Sequence, residues 1–181
     1  MTTNVDLDVG HHRLVLFWGL AVFGLIAPWV IANIDWSALP FLEQPRQSCT
    51  VASIHDGDTL RAECHGEHLQ VRLYCIDAPE LAQRPWGPDS RDHLRRITPR
   101  TISLRLVDTD RYGRRVGEVL TTDGESLNLA MVSAGQAAVY PRYCRDQRFF
   151  AAERAARSGG LGIWSSPGDH QHPWDYRRGS N

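Results

Sequence analysis

Polar and apolar residues divide this 181-residue chain into unlike regions. Residues 1–13 are polar. Leu14 to Ile34 (LVLFWGLAVFGLIAPWVIANI) then runs without a charged side chain, and beyond it short alternating stretches replace the unbroken apolar run. At about 1.5 Å per residue this run reaches roughly 31 Å as a helix, the thickness of a bilayer's hydrocarbon core. Trp18, Trp29 and Trp36 fall toward its ends, where indoles settle at a membrane interface. A helix buried in a globular core would show a polar face, and this one has none, so one N-terminal transmembrane helix is expected over 14–34. Asn33-Ile34-Asp35-Trp36 is a poor small-x-small cleavage site, which favours an uncleaved anchor over a signal peptide. Arg13 before the run and Asp35 after it point to a cytoplasmic N-terminus and a C-terminal domain on the extracytoplasmic (periplasmic) side.

Residues 35–47, with two prolines, read as a linker. Three strand-like stretches follow at Thr50–His55, Thr59–Glu63 and Leu69–Ile76. Turn chemistry separates them, a type I′ Asp56-Gly57 and then His65-Gly66-Glu67. A Pro/Gly-rich loop over 78–88 leads into a helix with Pro88 at its first position, Asp89 and Asp92 near its positive end and Arg95 and Arg96 near its far end. Two more strands, Thr101–Val107 and Arg115–Thr121, flank the segment DTDRYGR. A short helix then closes on Gly135, and a second, Asp146–Ser158, stops at Gly159-Gly160. Five strands with a helix between the third and fourth is the order of an OB-type barrel, an α+β fold with three helices over residues 48–166. The tail, 167–181, carries Trp174 and Tyr176 and is read as docking back on the barrel.

Composition adds two points. All 20 basic residues are arginine, a bias that a GC-rich genome explains equally well. Once Arg13, Asp6 and Asp8 are set aside, 19 arginines face 19 acids from Asp35 onward, so any phosphate recognition must be local rather than a general basic surface. Cys49 and Cys64 stand nearly symmetrically about the Asp56-Gly57 turn and would face each other across a two-strand ladder. Cys75 and Cys144 are left as a second pair with no geometric argument behind it. Disulfides would suit a domain outside the cytoplasm, four buried thiols a cytosolic one.

Three clusters carry candidate chemistry. In Asp56-Gly57-Asp58-Thr59 the turn accounts for Asp-Gly, but a second acid at Asp58 serves no backbone need. In Arg72-Leu-Tyr-Cys-Ile-Asp77-Ala-Pro-Glu80, three ionisable residues lie on or just past an internal-looking strand, which is costly unless they meet charged partners. Regular alternation would put Arg72 and Asp77 on opposite faces. Asp110-Arg111-Tyr112-Gly113-Arg114 is a turn that projects an arginine. Phosphodiester hydrolysis needs a cation against the non-bridging oxygens, an activated water, and charge stabilisation on a phosphorane. Asp58 and Asp77 suit a hard divalent ion, Glu80 a water, and Arg72 and Arg114 a phosphate clamp.

These pieces together, VASIHDGDTL, VRLYCIDAPE, DTDRYGR, LNLAMVSAGQA and AERAARSGGLGIW, resemble the staphylococcal nuclease (thermonuclease) family over about residues 49–165. The resemblance implies Ca²⁺-dependent cleavage of DNA and RNA at the bond to the 5′ oxygen, leaving 3′-phosphate ends, by a monomeric catalytic domain. By position, Asp58 and Asp77 would be the Ca²⁺ carboxylates and Arg72 and Arg114 the phosphate and transition-state arginines, with Glu80 the general base. Ala78 stands where the best-known member has threonine; the ligand there is a main-chain carbonyl, so the ion does not depend on that hydroxyl. Tyr112 matches a tyrosine that contacts the terminal phosphate, and Tyr140 or Tyr143 would be the base-stacking residue. A binding-only relative of such a barrel would lack some of Asp58, Arg72, Asp77, Glu80 and Arg114, and all five are present. His11-His12, His170 and His172 read as ordinary tail histidines, Trp86 as an anchor for its loop, and Trp164 as core packing.

Overall fold

The computed structural model describes residues 45–179. The expected anchor, 14–34, and most of the expected linker lie outside them. Among the described residues no helix is long and apolar enough to cross a membrane.

Five strands close into a barrel: β1 (Arg46–Ile54), β2 (Thr59–Cys64), β3 (Glu67–Leu73), β5 (Thr101–Thr109) and β6 (Arg115–Leu120). Their order around it is β1-β2-β3-β6-β5, with β3 and β6 parallel and the other pairs antiparallel. Helix α1 (Trp86–Ile97) lies between the third and fourth barrel strands, as the OB-type order requires. α2 (Leu127–Ser133) and α3 (Gln147–Ser158) follow the last, and a fourth helix, α4 (Pro173–Gly179), forms in the tail. A two-stranded sheet pairs β4 (Ile76–Asp77) with β7 (Ala138–Val139).

The inward positions follow from strand period. Leu60, Ala62 and Cys64 on β2, Val71 and Leu73 on β3, and Ile102 and Leu104 on β5 are buried. Met131 and Val132 of α2, Phe149 of α3 and Leu94 of α1 join the same core. α2 is capped by Ser126 Oγ, which accepts from Leu129 N (3.3 Å), and α3 by Asp146, which accepts from Arg148 N (2.9 Å). Asp146 is thus the cap rather than the first turn. Pro88 sits two residues inside α1, which begins at Trp86.

Three details depart from the sequence reading. β1 takes in Arg46 and Gln47, which read as linker, because both pair with β5. Asp56-Gly57 is not a type I′ turn: neither residue has positive φ, and a four-residue loop is closed by His55 N donating to Thr59 O (3.0 Å). The two-residue turn with positive φ at both positions is His65-Gly66, at 52° and 84°. Finally, Leu69–Ile76 is not one strand. Cys75 adopts φ 70° and breaks it, so β3 ends at Leu73 and β4 turns to meet β7.

Both cysteine pairs are disulfides. Cys49 and Cys64 face each other in the β1–β2 register, with Cα atoms 4.3 Å apart. Cys75 and Cys144 join the β3–β4 break to the approach to α3, with Cα atoms 4.4 Å apart.

Candidate active site

The β2–β3 ladder places Arg72 opposite Thr59, beside Asp58. The Asp58 carbonyl accepts from Leu73 N (2.8 Å), so the acid's backbone is fixed to the strand that carries the arginine. Its carboxylate faces inward. Oδ1 accepts from Thr59 Oγ1 (3.1 Å) and pairs with Arg72 Nη1, and Oδ2 accepts from Ala78 N (2.7 Å). Asp56 Oδ1 accepts from Asp58 N (3.0 Å) and shapes the loop.

Gly57 explains why this loop is not an ordinary hairpin. A Cβ there would collide with Ser90 Oγ on α1 and with the Ala78 methyl. The loop is pressed between the helix and the segment that follows β4, which brings Asp58 and Ala78 within hydrogen-bond reach.

The break at Cys75 does the rest. In an uninterrupted strand Arg72 and Asp77 would diverge; with the chain turned at Cys75, Arg72 Nη2 bonds Asp77 Oδ1 (2.5 Å) and the Ile76 carbonyl (3.3 Å). Asn128 holds the break from behind. Its Nδ2 donates to the Tyr74 and Gly117 carbonyls (2.9 and 3.1 Å), and its Oδ1 accepts from Val119 N (2.9 Å), so all its polar capacity joins α2 to β6 and the end of β3. Asp77 is 0% exposed and Arg72 13%, so their charges depend on ion pairing, with each other and with Arg177 and Asp58 in turn. Burial lowers the Arg72 pKa below its ordinary value; the Asp77 charge opposes this and the nearby Arg114 charge adds to it. Burial likewise raises Asp56, against the pull of Arg72.

Glu80 completes the acidic group. Its N–H donates to Gln83 Oε1 (2.8 Å) and its carbonyl accepts from Gln83 N (2.8 Å), a local turn that presents the half-exposed carboxylate beside Asp77. Arg177 of α4 reaches across from the tail. Its Nη2 bonds Asp77 Oδ2 and its Nη1 bonds Glu80 Oε1, both at 2.6 Å. Burial alone would lower its pKa; the Asp77 and Glu80 charges and hydrogen bonds outweigh that and hold it above the ordinary guanidinium value.

Arg114 lies on the rim. Its Nε and Nη2 bond Asp110 Oδ2 (2.8 and 2.7 Å), and no direct contact joins it to Asp58, Asp77 or Glu80. Asp110 also accepts from Tyr112 N and Arg114 N, and these bonds hold its pKa below the ordinary value although burial opposes them. Tyr112 is 68% exposed, 5.6 Å from the Arg114 guanidinium. Tyr143 is 58% exposed, while Tyr140 is half-buried and stacked on Trp174 of α4, with centroids 5.3 Å apart and planes within 5°. The geometry thus gathers Asp58, Arg72, Asp77, Glu80 and Ala78, sets Arg114 and Tyr112 beside them, and leaves Tyr143 exposed, edge-on to Tyr140 (5.0 Å), while Tyr140 is covered by Trp174. Arg177, Gln83 and Asn128 are site residues that sequence reasoning missed. His170 stacks on Trp86 (4.3 Å, 17°), a packing role for both.

Among the described residues no group of three or more His, Cys, Asp or Glu side chains is arranged around a common metal position. The donors nevertheless fit a hard cation. All are oxygen, two are buried carboxylates drawn together, and two guanidinium cations stand against them as stand-in positive charges. A main-chain carbonyl at Ala78 would supply a ligand without a third acid.

With this geometry in place, comparison with known proteins is direct. The staphylococcal nuclease homologue family matches residues 70–166, from within β3 to the turn after Trp164. The chain is 35% identical over 129 residues to an uncharacterised endonuclease of Escherichia coli O157:H7, covering 70% of this chain and 82% of that one. It is 36% identical over 141 residues to a micrococcal nuclease of Shigella flexneri (72% and 80%) and 35% identical over 167 residues to protein ParB of Escherichia coli (86% and 89%).

Proposed function

The chain belongs to the staphylococcal nuclease family and is a nuclease, and from that premise we propose that it cleaves DNA and RNA with Ca²⁺ at the Asp58–Asp77 site. The observation that carries this reading is the convergence of Asp58, Asp77 and Glu80 on Arg72 and Arg177 at one end of the barrel. Asp58, Asp77 and the Ala78 carbonyl would hold the ion. When bound, Ca²⁺ supplies positive charge against the non-bridging oxygens of the phosphate.

Glu80 takes a proton from the attacking water; it suits this task because it is half exposed and reaches solvent, as the buried Asp77 does not. Water oxygen bonds to phosphorus, the bond to the 5′ oxygen breaks, and that oxygen leaves with a proton from solvent. A 3′-phosphate and a 5′-hydroxyl result. Arg72 and Arg114 offer planar donor pairs to the oxygens on which charge builds, and Tyr112 lies where it can contact a neighbouring phosphate.

We further read the domain as anchored by residues 14–34 on the extracytoplasmic side. The uncharged length of that run supports the anchor, and two disulfides support an oxidising compartment. Digestion of single-stranded DNA and RNA by the full chain, with Ca²⁺ and with excess chelator, tests the chemistry. Glu80→Gln should slow cleavage at least about 100-fold, the scale of a lost general base. Undiminished cleavage by that variant, or in chelator, would remove the mechanism.

A further inference from the structure

We propose that Arg177 is a resident counter-cation of the active site, and that it and the divalent ion compete for Asp77 and Glu80. The proposal rests on the Ca²⁺ reading above and adds a residue that sets the ion concentration at which the site loads.

One guanidinium fork spans two carboxylates, with both bonds at 2.6 Å, and the carboxylates are the candidate ligand Asp77 and the candidate base Glu80. Arg177 is delivered by a docked segment: Trp174 lies flat on Tyr140, His170 on Trp86, and Gln171 Nε2 donates to the Ile163 and Ser166 carbonyls, both at 3.1 Å. Pro173, at the start of α4, is buried.

Without a metal, Arg72 is shared between Asp58 and Asp77, and Arg177 brings a second positive charge to Asp77 and reaches Glu80. Once an ion binds, that charge is redundant. Both Asp77 oxygens already carry a guanidinium, Arg72 on Oδ1 and Arg177 on Oδ2, so a divalent ion on Asp77 meets one of these cations at close range and repels it. Arg72 is 13% exposed and is also tied to Asp58 and the Ile76 carbonyl. Arg177 is 39% exposed and sits on a seven-residue helix. Its withdrawal disturbs less, and it frees Glu80 for water.

The test is Ca²⁺ binding by calorimetry on the full chain in detergent, without nucleic acid. Arg177→Ala should bind Ca²⁺ about 5- to 10-fold more tightly than the parent, the gain from removing the two competing ion pairs of one partly exposed arginine. Arg177→Lys, which keeps a charge, should stay near the parent. Trp174→Ala, which removes the stack on Tyr140 that docks α4 and so loosens the delivery of Arg177, should shift affinity the same way as Arg177→Ala and guards against a variant that misfolds. Unchanged or weaker Ca²⁺ binding in folded Arg177→Ala would overturn the competition and leave Arg177 as a docking residue, with the nuclease reading intact. Absence of Ca²⁺ binding in parent and variants alike would overturn both.

Discussion

Cys75 is bonded to Cys144, and Cys75 is also the residue whose left-handed backbone turns Arg72 toward Asp77. A non-glycine residue at φ 70° is disfavoured by the clash of its Cβ with the backbone, and the surrounding structure must hold it there. The bridge, the β4–β7 pairing and the hydrogen bond from Tyr140 N to the Cys75 carbonyl (2.9 Å) provide that hold. An arginine and an acid five residues apart become partners because a distant cysteine fixes the bend between them.

Replacing Cys75 and Cys144 together by serine should therefore weaken both fold and site. The bridge closes 69 residues, and loop-closure entropy on that scale is worth about 4 kcal/mol. Chemical denaturation should show a loss of this order, and cleavage at a temperature where the variant is still folded should fall as well. Full activity in a folded double variant would show that the bend holds without the bridge.

Asp77→Asn and Glu80→Gln should separate stability from chemistry. Asp77 is wholly buried between Arg72 and Arg177, so losing its charge leaves Arg72 short of a partner and should cost about 3 kcal/mol. Glu80 is half exposed, and its amide replacement should leave the melting temperature nearly unchanged while slowing cleavage. Equal melting temperatures for the two variants would contradict this account of burial.

Gly57→Ala should disable the site without altering a charge. The added methyl meets Oγ and Cβ of Ser90 on α1 and Cβ of Ala78, and a Cβ cannot rotate out of the way. A loss of about 2 kcal/mol is expected, the scale of an overpacked core position. The companion change Ser90→Gly should recover part of it in a denaturation series, because it removes one of the colliding groups.

Asp56 gives a pH dependence whose direction is fixed. Burial raises its pKa above the ordinary 3.8, so the folded protein holds this proton more tightly than the unfolded chain. The stability it contributes is complete below pH 3.8 and is lost as pH rises through the raised value. Asp56→Asn keeps the oxygen that accepts from Asp58 N and escapes this loss. Denaturation in chelator should show the variant gaining on the parent from acid to neutral pH. A parent that gains on the variant over that range would reverse the assignment.

How much of this was legible in the sequence varies with the range of the forces involved. The succession of strands and helices, α1 between the third and fourth barrel strands, and the glycines that end α2 and α3 follow from local pattern and turn chemistry; the capping roles of Ser126 and Asp146 do not. Asp58, Arg72 and Glu80 could be singled out because an ionisable residue beside an apolar strand calls for a partner. The Asp56-Gly57 dipeptide misled, since contact with α1 across the molecule overrides its turn preference. Alternation failed from Arg72 to Asp77 because the bend is imposed by residue 144 and by β7. The aromatics of the tail hinted at docking, but nothing nearby marks Arg177 among 20 arginines as the one that enters the site.

The parallel pairing of β3 with β6 has a consequence for the life of the chain. Val71 meets Arg115 and Arg72 meets Val116 only when the barrel closes, so the proposed phosphate clamp is assembled by a contact between segments more than 40 residues apart. Such non-local pairings form late, after the entropy of closing a long loop has been overcome. A nascent or unfolded chain holds its two arginines far apart. The proposed cleavage chemistry is therefore switched on by the closing of the barrel and not by the synthesis of its parts.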